Sequence, residues 1–106
     1  MLSFFDARAA KQFGSAMARL YIDCIPSKST ELNEKQFSHK STHILKKIGN
    51  EVALFTQQNK LNTYKIAQMG NAFKWELKDA GYEVDYINKL TQWFIVSIQS
   101  TASSIR

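Results

Sequence analysis

Apolar residues recur along this chain at steps of three and four, and the recurrences break at a few points of turn chemistry, a pattern that predicts four helices. In the first, Phe5, Ala9, Phe13, Ala16, Met17, Leu20 and Cys24 share a stripe running from about Ser3 to Cys24. Ser3 is the expected N-cap, Asp6 lies in the first turn, and Pro26 forbids continuation beyond Ile25. Ala10, Gly14 and Ala18 add a line of small residues that permits close approach by a neighbouring helix. Residues 26–33, PSKSTELN, read as a polar loop within the domain.

The second helix opens on Asn33 as N-cap, with Gln36 completing a capping box and Leu32 set to pack on Phe37. Its stripe runs through Phe37, Ser41, Ile44, Leu45, Ile48, Val52 and Phe55, and it ends near Asn59. Asn62 can cap the third helix while Leu61 staples onto Ile66, so helices two and three are joined by a very short connection and should run antiparallel. Ile66, Met69, Gly70, Phe73, Leu77 and Ala80 form the inward face of the third. Gly81 then supplies a left-handed position and Tyr82 can fold back on Leu77, which is the pattern of a Schellman ending.

The fourth helix starts near Glu83, where Glu83 and Asp85 suit the positive end of the dipole. Val84, Ile87, Leu90, Thr91, Phe94, Ile95 and Ile98 make its main stripe, and Tyr86, Trp93 and Val96 widen the apolar surface almost round the cylinder. A helix apolar on most sides needs cover on most sides. The Ser- and Thr-bearing tail, about 99–106, is expected to fray. The fold expected is all-α: an up-down-up-down antiparallel four-helix bundle forming a single domain over 1–106.

Composition narrows the function classes. A length of 106 residues suits one domain, and 44% hydrophobic with 22% charged residues is the balance of a globular protein. No window is apolar enough to span a membrane. The single Cys24 cannot form an internal disulfide, so a reduced cytoplasm is the expected location. Cys24 itself sits on the first helix's apolar stripe and reads as a small buried hydrophobe rather than a nucleophile. No glycine-rich phosphate loop and no metal-binding cysteine spacing occur. The expectation is a protein that is not an enzyme, with no cofactor and no catalytic residue.

Net charge is +5, and residues 1–61 hold nine Lys/Arg against five Asp/Glu. His39 and His43 stand one helical turn apart, a spacing that two imidazoles need to share a metal ion. The intervening Lys40, Ser41 and Thr42 supply no glutamate, and Lys46 and Lys47 would repel a dication, so solvated histidines are the better reading. Lys35, Lys40, His43, Lys46 and Lys47 instead form a ridge without acidic side chains over 35–50, a candidate surface for nucleic acid phosphates. It contains no arginine for bidentate contact. A helix-turn-helix reading of helices three and four is disfavoured, because Glu83 and Asp85 would meet the phosphate backbone first.

What remains is surplus aromatic surface. Trp75 falls opposite Phe73 and Leu77, in line with Tyr64, Gln68, Asn71 and Lys78, and Trp93 sits with Tyr86 beside the main stripe of the fourth helix. Tyr64, Trp75, Tyr86 and Trp93 are therefore the expected partner-binding residues, and the partner is a protein or a second copy of the chain in a homodimer. An adaptor, an inhibitor or immunity-type protein, or a regulatory subunit fits that description. Binding of nucleic acid through Lys40, His43, Lys46 and Lys47 is the alternative.

Overall fold

The computed structural model describes residues 6–25 and 34–105, with side chains placed over 6–25 and 39–102. Among the described residues there are four α-helices and no strand: α1 (Arg8–Cys24), α2 (Glu34–Gln58), α3 (Thr63–Asp79) and α4 (Val84–Ile105). The all-α expectation holds, and the ends of the helices show why.

Asn62 lies in extended backbone and its Oδ1 accepts from the Lys65 amide at 2.8 Å, which is the predicted cap of α3. At the other end Gly81 takes a φ of 90°, the Gly81 amide donates to the Lys78 carbonyl and the Tyr82 amide to the Leu77 carbonyl, completing the predicted Schellman ending. The start of α1 departs from expectation. The helix begins at Arg8 rather than near Ser3, and Asp6 stands outside it, with its carboxylate accepting from both the Arg8 amide and the Arg8 guanidinium. Ser3, Leu32 and Asn33, with the side chains of Lys35, Gln36 and Phe37, lie outside the described residues. At the far end α4 continues through the expected fraying to Ile105, with the Thr101 hydroxyl donating to the Ser97 carbonyl.

Residue pairs give the directions. Gly14 lies against Met69, Arg19 reaches Glu76, and the carbonyl of Ile25 meets Tyr82, so α1 and α3 run the same way. Gly70 lies under Ile95 and Phe73 stacks on Phe94, while Tyr82 meets Tyr86 across the turn, so α4 runs back along α3. Phe13 stacks on Phe55 and Tyr21 hydrogen-bonds Ser41, so α2 opposes α1. Around the bundle the order is α1, α3, α4, α2. The short connection over 59–62 thus does not make α2 and α3 side-by-side neighbours; α2 covers α4 and α1 instead.

The cause of this order is the line of small residues on α1. Ala10, Gly14 and Ala18 are all buried, and a Cβ at Gly14 would collide with the Met69 carbonyl oxygen and stand 3.1 Å from its carbon. Helix α3 occupies that groove almost backbone to backbone. The buried face of α1 therefore centres on Ala10, Gly14, Met17, Ala18 and Tyr21, turned away from the stripe of larger apolar residues. Phe13 and Leu20 are only partly buried, and Ala9, Ala16 and Cys24 are exposed. The expected burial of Cys24 is corrected accordingly.

Two aromatic clusters fill the interior. One phenylalanine from each helix contributes to a stack: Phe55 on Phe13 at 4.3 Å between centroids, Phe13 near Phe94 at 6.4 Å, and Phe94 on Phe73 at 4.2 Å. Towards the α3–α4 turn Tyr21, Tyr82 and Tyr86 pack together; the Tyr21 and Tyr86 hydroxyls share a hydrogen bond, and the Tyr82 hydroxyl donates to the Ile25 carbonyl. The bundle measures 49 × 26 × 19 Å, two helix layers thick at its thinnest. Every helix consequently keeps an outer flank in water.

Candidate functional site

On α3 the inward residues Met69, Phe73 and Leu77 are fully buried, so the opposite flank must face out. Tyr64, Gln68, Asn71 and Trp75 follow one another on that flank at steps of three and four. Trp75 is 53% exposed and Tyr64 40%. They stand about 16 Å apart along the helix axis, from the rise of 1.5 Å per residue. The Nζ of Lys78 lies over the Trp75 ring, 4.8 Å from its centre, a cation–π contact. Helix α3 thus carries a tryptophan more than half exposed, with the Lys78 ammonium beside its ring.

The expected α4 flank is different. Trp93 is partly buried against the core, and Tyr86 turns inward to Tyr21 and Tyr82. The four aromatic residues are not brought onto one surface: Tyr64 and Trp75 share an outer flank, while Tyr86 belongs to the tyrosine cluster. The signal for this was absent from α4 itself, since the Tyr21 that takes up the Tyr86 hydroxyl is 65 residues away. Leu54, Val84 and Val96 are exposed apolar side chains that the sequence reading did not single out as surface.

The basic ridge of α2 is present. Lys40, His43, Lys46 and Lys47 are all exposed, with His39 beside them, opposite the buried Ile44, Ile48 and Val52. Among the described residues no group of three His, Cys, Asp or Glu side chains is placed to hold a metal ion.

A furrow between α1 and α3 adds a feature not anticipated. One depression of about 350 Å³ is lined by Lys11, Gln12, Ser15, Ala16, Arg19 and Glu76. A second, of about 450 Å³, is lined by Asp6, Arg8, Ala9, Gln12, Asn59 and Lys65. Gln12 belongs to both, so they run end to end along α1. Arg19 bridges to Glu76 at 3.4 Å, and Arg8 holds Asp6 at 2.8 Å. The hydrogen bonds from Arg8 lower the Asp6 carboxyl to a pKa of about 2, and the pair lies at the surface. Both depressions are open, and charged and amide side chains, with the Ser15 hydroxyl in the first, line them.

Among the described residues no helix is long and apolar enough to cross a membrane. Comparison with protein-family models, with curated proteins and with solved structures gives no match for this chain.

Proposed function

We propose that this chain works without catalysis, by binding another protein through the outer flank of α3. The observation supporting this reading is Trp75, an indole more than half exposed, in contact with Lys78, on a helix whose other face is committed to the core. Tryptophan is among the residues that dominate binding energy when an interface covers them. Tyr64 extends the same flank by about three turns. An adaptor, inhibitor or regulatory subunit works in this manner, and a reduced cytoplasmic setting suits the unpaired Cys24.

Affinity purification with crosslinking, comparing the unaltered chain with Trp75→Ala, tests the reading. The account expects Trp75→Ala to fold normally and to lose its protein partners. Partners kept by Trp75→Ala would overturn it. Sedimentation of the purified chain decides the version in which the partner is a second copy.

A second reading is favoured by the uniform exposure of Lys40, His43, Lys46 and Lys47 on α2. In it the ridge neutralises phosphates of a nucleic acid. Three lysines imply a salt dependence with a logarithmic slope of about −2.7 on duplex DNA, from 0.9 per phosphate contact. A slope near zero, or no retention on DNA at low salt, eliminates this reading.

A further inference from the structure

We propose that the protein received on the outer flank of α3 is a second copy of this chain, docked antiparallel about a two-fold axis level with Met69 and Gly70. This names the partner in the reading of that flank as a protein contact and rests on it. The order of residues along the flank is what selects the occupant. Tyr64, Gln68, Asn71 and Trp75 stand at steps of four, three and four, so the flank reads aromatic, amide, amide, aromatic from either end. Alternate steps of four and three also let one helix lay a continuous seam along another. A two-fold axis pairs residue i of one copy with residue j of the other, and j with i. Set between residues 69 and 70, it brings each Tyr64 to the second copy's Trp75 and each Gln68 to the second copy's Asn71. Each exposed indole then gains a ring against it, and the amides can exchange hydrogen bonds. A flank shaped for an unrelated partner has no reason to read alike in both directions.

The charges around the seam are compatible with this pairing. None of the four seam residues is charged; Ala67 and Lys74 border the flank on one side, Lys65 and Ala72 on the other. The two-fold sets Lys74 beside the second copy's Ala67, and Lys65 beside its Ala72. Each lysine then stands about 14 Å along the axis from its own counterpart, at 1.5 Å per residue, which exceeds the Debye length of about 8 Å at physiological salt. At each end of the seam Lys78 and Asp79 offset one another. Antiparallel docking also sets the negative end of each α3 dipole beside the positive end of the other. One helix from each copy makes the contact, an interface at the small end of the specific range, roughly 1,200 Å² in total or less. The dimer therefore dissociates on dilution, and the purified chain at low concentration is a monomer with Trp75 in solvent.

Sedimentation equilibrium of the full chain from micromolar to submillimolar concentration provides the test, repeated for Gln68→Lys, for Asn71→Asp and for their equal mixture. Asn71 is exposed and Gln68 only half-buried, and circular dichroism first establishes that each variant folds. In a dimer of either variant alone, the two like charges stand about 5 Å apart along the axis. In the mixture, Lys at 68 of one chain faces Asp at 71 of the other. The proposal expects a reversible monomer–dimer equilibrium for the unaltered chain, at least about tenfold weaker association of each variant alone, and recovery of the dimer in the mixture. Weakening of both variants without recovery in the mixture would overturn the antiparallel pairing. A dimer indifferent to both substitutions uses another face and would overturn the proposal. A chain that stays monomeric throughout would also overturn it, and the flank as a contact for a different protein then stands only if Trp75→Ala loses its partners in affinity purification.

Discussion

Tyr82 closes the end of the bundle with its hydroxyl bonded to the Ile25 carbonyl and its amide bonded to Leu77. Burial, with the neighbouring Tyr21, pushes its phenol from the ordinary 10 up to about 12, so the folded chain holds a proton that the unfolded chain releases earlier. The stabilisation from the neutral phenol is complete below pH 10 and is lost between pH 10 and about 12. Urea unfolding across that range should show stability falling with pH. Tyr82→Phe should fall less steeply, the remainder coming from Tyr21, whose phenol burial also raises. A second residue has the opposite character. Thr91 is buried with its hydroxyl unpartnered, a cost that a valine of the same shape avoids. Thr91→Val should gain about 1 kcal/mol in denaturant unfolding. A loss of that size would show that the hydroxyl has a partner after all.

At the scale of the helices, the two glycines at Gly14 and Gly49 separate close approach from simple propensity. A Cβ at Gly14 meets the backbone of Met69, whereas one at Gly49 meets nothing within 4 Å. Gly14→Ala should destabilise by about 3 kcal/mol, the upper end for overpacking against backbone, and Gly49→Ala should stabilise by up to about 1 kcal/mol. Thermal melts of the two variants with shifts of the same sign would contradict the α1–α3 contact. The helix ends were legible from sequence where the signal is local: Asn62 caps α3, and Gly81 with Tyr82 ends it. The small line Ala10, Gly14, Ala18 was also legible as a groove. Its consequence was not, because the choice between that groove and the bulkier Phe13, Leu20, Cys24 stripe depends on which helix arrives. The arrival of α3 turned Cys24 out to solvent and set α2 across from α3.

For the whole molecule, a bundle only 19 Å thick in one direction leaves each helix an outer flank in water. Trp93 went to the core edge and Trp75 stayed in water, as its position opposite Phe73 and Leu77 implied. Tyr86 could not be sorted from Trp93 on sequence alone, since its place depends on contact with Tyr21 and Tyr82. The furrow likewise exists only once α1 and α3 are side by side. The functional account depends on the exposed indole having a use. Hydroxyl-radical footprinting of the chain, purified and inside the cells that make it, measures this most directly. The account predicts that Trp75 is strongly oxidised in the purified protein and protected in the cell, with Trp93 weakly oxidised in both. Equal oxidation of Trp75 in the two settings would contradict it.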